Sequence, residues 1–249
     1  MPLSDYKSAL VTGASSGIGA ACVRALTSRG IEVHALARRE DRLKALADET
    51  GCMPLTLDLR DHDAIHARLA SLDVDILIGN AGTGRGFDGF LGASPDDIDV
   101  TLGTNVQSLV HVLRAVLPGM VERRRGHVVN IGSVAGLYPI NSVIYGASKG
   151  AVHMLNQNLR IELKGTGVRS TEICPGRVVT EFFEASIEDS EQLAKVKDTG
   201  IEELTPDDIA DAIIFALDAP WRMNVNCIEI QPTEQVFGGA GFGPVAGRR

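Results

Sequence analysis

Short apolar runs alternate with stretches of helical periodicity along the whole chain. Seven runs are rich in Val, Ile or Leu, and they predict strands at residues 8–11, 32–37, 53–57, 75–78, 127–131, 169–174 and 225–230. The segments between them predict helices at residues 17–29, 40–49, 63–70, 95–121, 143–164 and 206–217. This alternation is typical of a parallel sheet with helices on both faces. We therefore predict an α/β fold with a doubly wound, seven-stranded parallel sheet.

Composition and charge narrow the class of protein. The 249 residues are 44% hydrophobic and 22% charged, which is ordinary for a globular protein, and no repeat or linker divides them, so one domain is predicted over residues 1–249. With 24 basic and 32 acidic residues the net charge is −8, which argues against nucleic acid and anionic membranes as partners. Residues 1–7 lack the features of a signal peptide, and no apolar run approaches the ~18 residues of a membrane span. We expect a cytoplasmic protein.

The metal-binding residue types are scattered. Four cysteines, at positions 22, 52, 174 and 227, form no C-x-x-C pair and are expected to be reduced and structural. The six histidines show no zinc-binding spacing. No metal site is predicted.

A glycine-rich loop, Thr12-Gly13-Ala14-Ser15-Ser16-Gly17-Ile18-Gly19, follows the first predicted strand and opens the first predicted helix. Gly13 permits a tight turn, Gly17 permits close approach of a pyrophosphate, and Gly19 permits the helix to pack on the sheet. Without that placement the loop could be turn chemistry alone. The context predicts a dinucleotide site whose candidate residues are Gly13, Ser15, Ser16, Gly17, Ile18 and Gly19.

A second cluster combines Tyr145 and Lys149, four residues apart on one helical face, with Ser133 just after the fifth predicted strand. A nearby ammonium group favours the phenolate form of a tyrosine, so Lys149 could prepare Tyr145 to exchange a proton with an alcohol. A surface tyrosine and lysine at a chance spacing would be the alternative if the pair stood alone.

Five motifs together resemble the short-chain dehydrogenase/reductase family, in its single-domain branch of about this length. They are the glycine loop, the turn Asn80-Ala81-Gly82, Asn105, Ser133 with the Tyr145/Lys149 pair, and the segment Pro175-Gly176-Arg177-Val178-Val179-Thr180. The resemblance extends from residue 7 to about residue 239. It implies a Rossmann fold and hydride transfer between a nicotinamide cofactor and an alcohol or carbonyl compound.

The resemblance also implies roles for individual residues. Tyr145 would be the general acid/base, and Ser133 would orient and polarise the substrate oxygen. Lys149 would hold the nicotinamide ribose and lower the pKa of Tyr145, and Asn105 would hold a water for proton relay. On the cofactor, Asp58 and Leu59 would face the adenine, and the turn Pro175-Gly176 would lead to Val178 and Thr180 at the carboxamide. One departure is Gly79, where the family has asparagine, and it is expected to loosen the turn before Asn80.

The end of the second strand indicates the cofactor. Proteins that prefer NAD usually carry an acidic residue there, but this chain has Ala37 followed by Arg38 and Arg39. Guanidinium groups suit a ribose phosphate, so NADP is predicted ahead of NAD. Two arginines that merely begin a solvated helix are the alternative.

Substrate and assembly are the least constrained features. Within the family the chain is most similar to NADP-dependent dehydrogenases of small 3-hydroxy acids, including serine, and Arg85 or Arg177 could hold a substrate carboxylate. A broad aldehyde/ketone reductase is the alternative, and a non-catalytic dinucleotide-binding protein is another. Residues of about 177–203 are expected to form a substrate lid, unless they form a permanently docked helical pair. Family members imply a homotetramer, or a dimer, built through the helices predicted at 95–121 and 143–164.

Overall fold

The computed structural model describes residues 2–87, 89–187, 189–236 and 241–244. Its seven strands form one sheet in the order β3-β2-β1-β4-β5-β6-β7, and every pairing is parallel. The strands are β1 (Ser8–Thr12), β2 (Glu32–Ala37), β3 (Met53–Thr56), β4 (Ile76–Gly79), β5 (Gly126–Ile131), β6 (Val168–Pro175) and β7 (Cys227–Ile230). The predicted doubly wound sheet is confirmed, with boundaries that differ by one or two residues.

The predicted domain also includes Met1, Asp88, Glu188 and residues 237–240 and 245–249, and Glu188 belongs to the predicted lid as well. These positions lie outside the described residues.

The helices cover both faces of the sheet. They are α1 (Gly17–Thr27), α2 (Glu40–Thr50), α3 (His62–Leu69), α4 (Pro95–Leu102), α5 (Ser108–Glu122), α6 (Val134–Leu137), α7 (Val143–Glu162), α8 (Ser190–Lys197) and α9 (Pro206–Asp218). The short helices α6 and α8 add to the six that hydrophobic periodicity predicts. Among the described residues, none of the helices combines the length and the apolar character that a bilayer crossing requires.

Alternating side chains of the central strands enter two separate cores. On β1, Ala9 and Val11 join the cluster packed by α1, α2 and α9, whereas Leu10 joins the cluster packed by α3, α5 and α7. Because successive side chains of a strand point to opposite faces, a strand covered by helices on both sides must be apolar at every position. This is why the central strands are continuous apolar runs in the sequence.

The helix predicted at residues 95–121 is not one regular α-helix. A single π-helical segment, Gly103–Gln107, separates α4 from α5 while the chain continues in helical geometry. Asn105 lies within this segment and is only 2% exposed. Such π-turns are rare and are found mostly at functional sites. Periodicity alone could not locate this one, since the apolar spacing continues across it.

Candidate active site

A cavity of about 820 Å³ lies at the carboxyl ends of the strands, where open α/β sheets bind ligands. All of the predicted cofactor residues except Gly19 line it, and so do all of the predicted catalytic residues except Asn105. The structure therefore brings the predicted residues together from segments that are far apart in sequence. Their individual roles remain predictions.

The glycine loop lies at the point where the strand order reverses, between β1 and β4. The Thr12 hydroxyl accepts hydrogen bonds from the backbone N–H groups of Asn80 and Ala81, at 3.0 and 3.1 Å. The Asn80 side chain donates to the Thr12 carbonyl at 2.9 Å. A Cβ atom on Gly19 would lie 2.3 Å from the Gly13 carbonyl oxygen, so only glycine fits there. Gly19 therefore permits the close packing of the loop, although it does not line the cavity.

The turn after β4 is well held. A Cβ atom on Gly79 would lie 2.7 Å from Leu109 Cδ1 and 2.8 Å from Asn130 Oδ1, so a larger residue there would require these side chains to shift. The following residue, Asn80, is fixed to β1 by the bonds just described. The expectation that Gly79 loosens this turn stays a prediction.

Basic residues line the far end of the cavity, next to β2. Arg38 is exposed and forms no ion pair with any residue that the structure describes. Arg39 donates to the hydroxyls of Ser15 and Ser16, at 3.0 and 2.6 Å, and to Glu181 at 2.9 Å. Arg38 is thus available to an anion, whereas Arg39 is already bound to the glycine loop and to the predicted lid.

The contact with Glu181 was not foreseen from the sequence. Its carboxylate also accepts a hydrogen bond from Arg42 at 2.6 Å, and the two arginines hold its pKa below the usual range, Arg42 more than Arg39. The partners are more than a hundred residues apart, so sequence spacing carries no signal for this contact. The run of basic residues between positions 38 and 44 indicates an anionic partner, but it does not identify Glu181 as that partner.

Tyr145 and Ser133 face the same end of the cavity. Burial raises the pKa of Tyr145 to about 12, and an interaction with the Ser133 side chain partly offsets this. The Lys149 ammonium lies 5.9 Å from the centre of the Tyr145 ring. At neutral pH the phenol is therefore protonated, which is the form that can donate a proton to a carbonyl oxygen. The depressed pKa that the resemblance implies is not the direction found in this structure, because desolvation is the largest effect on the phenol.

Lys149 is almost fully buried, at 5% exposure, and donates to the Ile131 carbonyl at 2.8 Å. Burial lowers its pKa to about 8, against the opposing effects of Cys174 and Glu172 on β6. Glu172 is itself buried and accepts a hydrogen bond from His153 at 2.7 Å. His153, Glu172 and Cys174 hold potential ligand atoms within 4.8 Å of one another, the one such group among the described residues. Because no metal spacing marks them, the sequence did not indicate this group.

The Asn105 side chain makes three hydrogen bonds that connect separate parts of the site. Its amide donates to Thr83 O at 2.8 Å and to the Ser148 hydroxyl at 2.9 Å, while its oxygen accepts from Thr83 N at 2.8 Å. These bonds tie the π-helical segment to α7 and to the loop after Gly82. The side chain is thereby fully used in fixing the loop, and the water-holding role stays a prediction.

The predicted lid begins beside the glycine loop. Val178 forms an isolated parallel bridge with Leu204, and a Cβ atom on Gly17 would lie 3.1 Å from Thr180 Cγ2. Turns at residues 181–186 follow, and then helix α8. This helix is compatible with the alternative of a permanently docked helical pair. The lid stays a prediction, since a single conformation does not test motion.

Both arginines considered for a substrate carboxylate have acidic partners. Arg85 pairs with Asp96 at 2.8 Å. Arg177 donates to Glu203 at 2.9 Å and to the Val196 carbonyl at 3.0 Å, and its guanidinium lies 4.3 Å from the centre of the Phe183 ring. These side chains line the cavity but are engaged by the protein itself.

Aromatic residues that the sequence did not single out lie around Tyr145. Phe87, Phe182, Phe183 and Phe242 line the cavity, which is four of the seven phenylalanines in a chain with 4% aromatic residues. Phe182 lies 5.3 Å from Tyr145 between ring centres. The adjacent pair Phe182-Phe183, directly after Glu181, was the available signal.

A strand-to-helix glycine loop at the sheet's switch point, with a buried lysine and a half-buried tyrosine at the other end of the same cleft, defines the class of dinucleotide-dependent oxidoreductases. Residues 7–191 match the family model for short chain dehydrogenase. The chain belongs to the short-chain dehydrogenase family, and the predicted family, fold and enzyme class are confirmed.

Named relatives agree with this assignment. The chain is 41% identical, over 92% of its length and 96% of the relative's, to the NADP-dependent 3-hydroxy acid dehydrogenase YdfG of Salmonella typhi. It is 39% identical to an uncharacterized short-chain type dehydrogenase/reductase, y4eK, of Sinorhizobium fredii, over 96% of each chain. Among solved structures it resembles the closed form of a serine dehydrogenase complexed with NADP+, with a TM-score of 0.88 and 39% identity over 93% of this chain and 97% of that one. The first and third of these names contain NADP, the cofactor that Arg38 and Arg39 predicted.

Proposed function

We propose that this protein catalyses the NADP(H)-dependent interconversion of a small alcohol and its carbonyl compound. The observation that carries the proposal is the single cavity with Arg38 and the glycine loop at one end and Tyr145, Ser133 and Lys149 at the other. The two ends match the two parts of such a reaction, one binding a phosphorylated cofactor and the other moving a proton.

The proton chemistry is assigned to Tyr145. In reduction its phenol donates a proton to the carbonyl oxygen, and in oxidation its phenolate takes the proton of the alcohol. Ser133 donates a hydrogen bond that orients the same oxygen. Bound NADP(H) supplies or accepts the hydride. Lys149 holds a positive charge beside the phenol and stabilises the phenolate that forms in each turnover.

The residues of the chain fit NADP. Exposed Arg38 would hold the ribose phosphate, and the N-terminus of α1 would face the pyrophosphate, where free N–H groups and the helix dipole favour negative charge. Asp58 and Leu59 would lie at the adenine, Lys149 at the nicotinamide ribose, and Val178 and Thr180 at the carboxamide. The loop geometry that excludes a Cβ atom at Gly19 supports this use.

For the substrate, the names of the relatives favour a small 3-hydroxy acid, serine among them. The ion pairs of Arg85 and Arg177 favour the alternative, an aldehyde or ketone reductase without a carboxylate requirement. A panel of 3-hydroxy acids, their methyl esters and simple carbonyl compounds, followed by nicotinamide absorbance with NADP(H) and NAD(H), tests both. A carboxylate requirement would show as a sharp fall in kcat/KM on esterification, and no turnover in either direction would contradict the proposal.

The assembly proposed is a homotetramer rather than a dimer. Apolar side chains are exposed on α5, at Val110 and Val121, and on α7, at Val143, Met154 and Ile161, where a partner helix could cover them. Light scattering after gel filtration gives the mass directly, and a monomer would contradict this proposal. The cytoplasm is the proposed compartment, supported by the four free thiols.

A further inference from the structure

We propose that Phe87, Phe182 and Phe183 form a specificity wall that selects substrates whose carbon chain carries an apolar, preferably aromatic, arm. The inference rests on the proposed function and names its substrate class. No motif marks these residues, and their meaning comes from where the fold brings them.

The three rings are packed against one another beside Tyr145. Ring centres are 6.2 Å apart for Phe87 and Phe182, 5.8 Å for Phe87 and Phe183, and 5.2 Å for Phe182 and Phe183. The first and last of these contacts are edge-to-face, the geometry that aromatic pairs prefer. The specificity wall is thus a preformed surface rather than three independent side chains.

The wall lies directly against the proposed proton donor. The centre of the Phe182 ring is 5.3 Å from that of Tyr145, and the centre of the Phe87 ring is 6.5 Å from it. A carbonyl oxygen held by Tyr145 and Ser133 leaves the two substituents of the carbonyl carbon within the same part of the cavity. A substituent on the side of the wall meets aromatic carbon rather than a polar group.

The cations at this end of the cavity strengthen the argument. Arg85, Arg177 and Lys195 line it, and each is paired with a carboxylate of the protein, at 2.8, 2.9 and 2.8 Å. A substrate carboxylate would compete with Asp96, Glu203 or Glu191 for these three cations, and Lys149 is assigned to the phenol and the cofactor ribose. An apolar arm requires no such exchange, and its burial against the wall is favourable in proportion to the area removed from water.

Four substrates distinguish the effect of the apolar arm on turnover from the effect of the carboxylate. They are 3-hydroxybutanoate, 3-hydroxy-3-phenylpropanoate and the methyl ester of each, assayed as alcohols with NADP+. The wild-type enzyme should prefer the phenyl compounds over the methyl compounds by about tenfold or more in kcat/KM, for the acids and for the esters alike. The ratio between phenyl and methyl compounds is the quantity that the wall controls.

Variants then assign the preference to the wall. Phe182→Ala should bring the ratio of phenyl to methyl kcat/KM close to one, whereas Phe182→Leu should keep part of it because it still presents an apolar surface. Phe90→Ala is the matched control, since Phe90 is exposed and does not line the cavity. Binding of NADP+, measured by fluorescence titration, should be unchanged in every variant that is folded.

The outcomes distinguish the inference from the function on which it rests. Turnover of all four compounds without a phenyl preference, or a preference that survives Phe182→Ala and Phe87→Ala alike, would overturn the specificity wall and leave the proposed function standing. Absence of turnover with the four compounds and with their ketones would overturn the wall, and absence of turnover across the wider panel of 3-hydroxy acids, esters and simple carbonyl compounds would overturn the proposed function as well. A Phe90→Ala variant that loses the preference as fully as Phe182→Ala would also overturn the wall.

Discussion

The two ends of the active-site cavity are built in different ways. At the cofactor end, Thr12, Asn80 and the glycine loop lie at the ends of buried strands, and each hydrogen bond between Thr12 and the turn at Asn80 joins a side chain to the backbone. At the substrate end, Phe87 and the described residues of 177–203 belong to loops and to helix α8, and side-chain pairs such as Arg177 with Glu203 contribute contacts. Rigid elements thus define the cofactor site, whereas exchangeable side chains define the substrate site.

This difference explains why one end can be shared by many enzymes while the other varies. A backbone cradle tolerates few substitutions, as the 2.3 Å approach at Gly19 shows. The ring contacts of the specificity wall depend on side chains alone and can be changed one at a time. A single change should act most strongly at Tyr145 and Lys149, because the proposed proton transfer depends on them.

The largest effect is expected from Tyr145→Phe, which removes only the hydroxyl. Turnover in either direction should fall by about 10²–10⁴-fold, because no other described group replaces the proton donor. Binding of NADP+ should stay within about twofold of the wild-type value, since the ring remains in place. Stopped-flow absorbance gives the first quantity and fluorescence titration the second. A variant with nearly wild-type kcat would show that Tyr145 does not transfer the proton. The proposed division of the cavity into a cofactor end and a proton-transfer end would then be wrong.

The pH dependence should be strong for alcohol oxidation and weak for carbonyl reduction. With the pKa of Tyr145 raised to about 12, the phenolate fraction increases about tenfold per pH unit below that value. Alcohol oxidation, which needs the phenolate, should therefore accelerate as pH rises from 7 to 9. Carbonyl reduction, which needs the phenol, should stay nearly constant over the same range. Initial rates at saturating cofactor check this, and oxidation that is flat from pH 7 to 9 would contradict it, because the phenol would then need a pKa below about 7 in the bound complex.

A smaller effect is expected at the cofactor end from Arg38→Asp. A charge-assisted hydrogen bond contributes about 1.5–3 kcal/mol, so the KM for NADP should rise about 10–100-fold while the KM for NAD changes little. Arg29→Asp, which makes the same charge change at an exposed position outside the cavity, is the control. Equal losses for the two cofactors would mean that Arg38 does not meet the ribose phosphate.

The sequence predicted the cofactor end in more detail than the substrate end, for a physical reason. Gly13, Arg38 and Asn80 follow strand ends, so their neighbours in space are dictated by a parallel sheet whose strands are visible as apolar runs. Phe182 and Glu181 lie in a segment without periodicity, and their partners depend on the path of a loop. The ion pair of Arg177 illustrates this limit, since a cation near a cavity can face the substrate or a carboxylate of its own chain.

The smallest effect, and the one that joins the two ends, is expected from Glu181→Gln. Glu181 lies at the start of the predicted lid and binds Arg39 and Arg42 beside the glycine loop, with about half of its side chain exposed. Exposed ion pairs contribute ~1 kcal/mol or less, so the changes should be about fivefold at most. Release of Arg39 should lower the KM for NADP, while a less firmly held lid should raise the KM for the substrate.

Glu184→Gln is the control, because Glu184 pairs with Lys197 within the lid and does not contact either arginine. Added salt should raise the KM for the substrate in the wild-type enzyme but have little further effect on that KM in Glu181→Gln, because screening weakens the same pair. If both KM values move in the same direction, or if Glu184→Gln gives the same result, then Glu181 does not link the lid to the cofactor end.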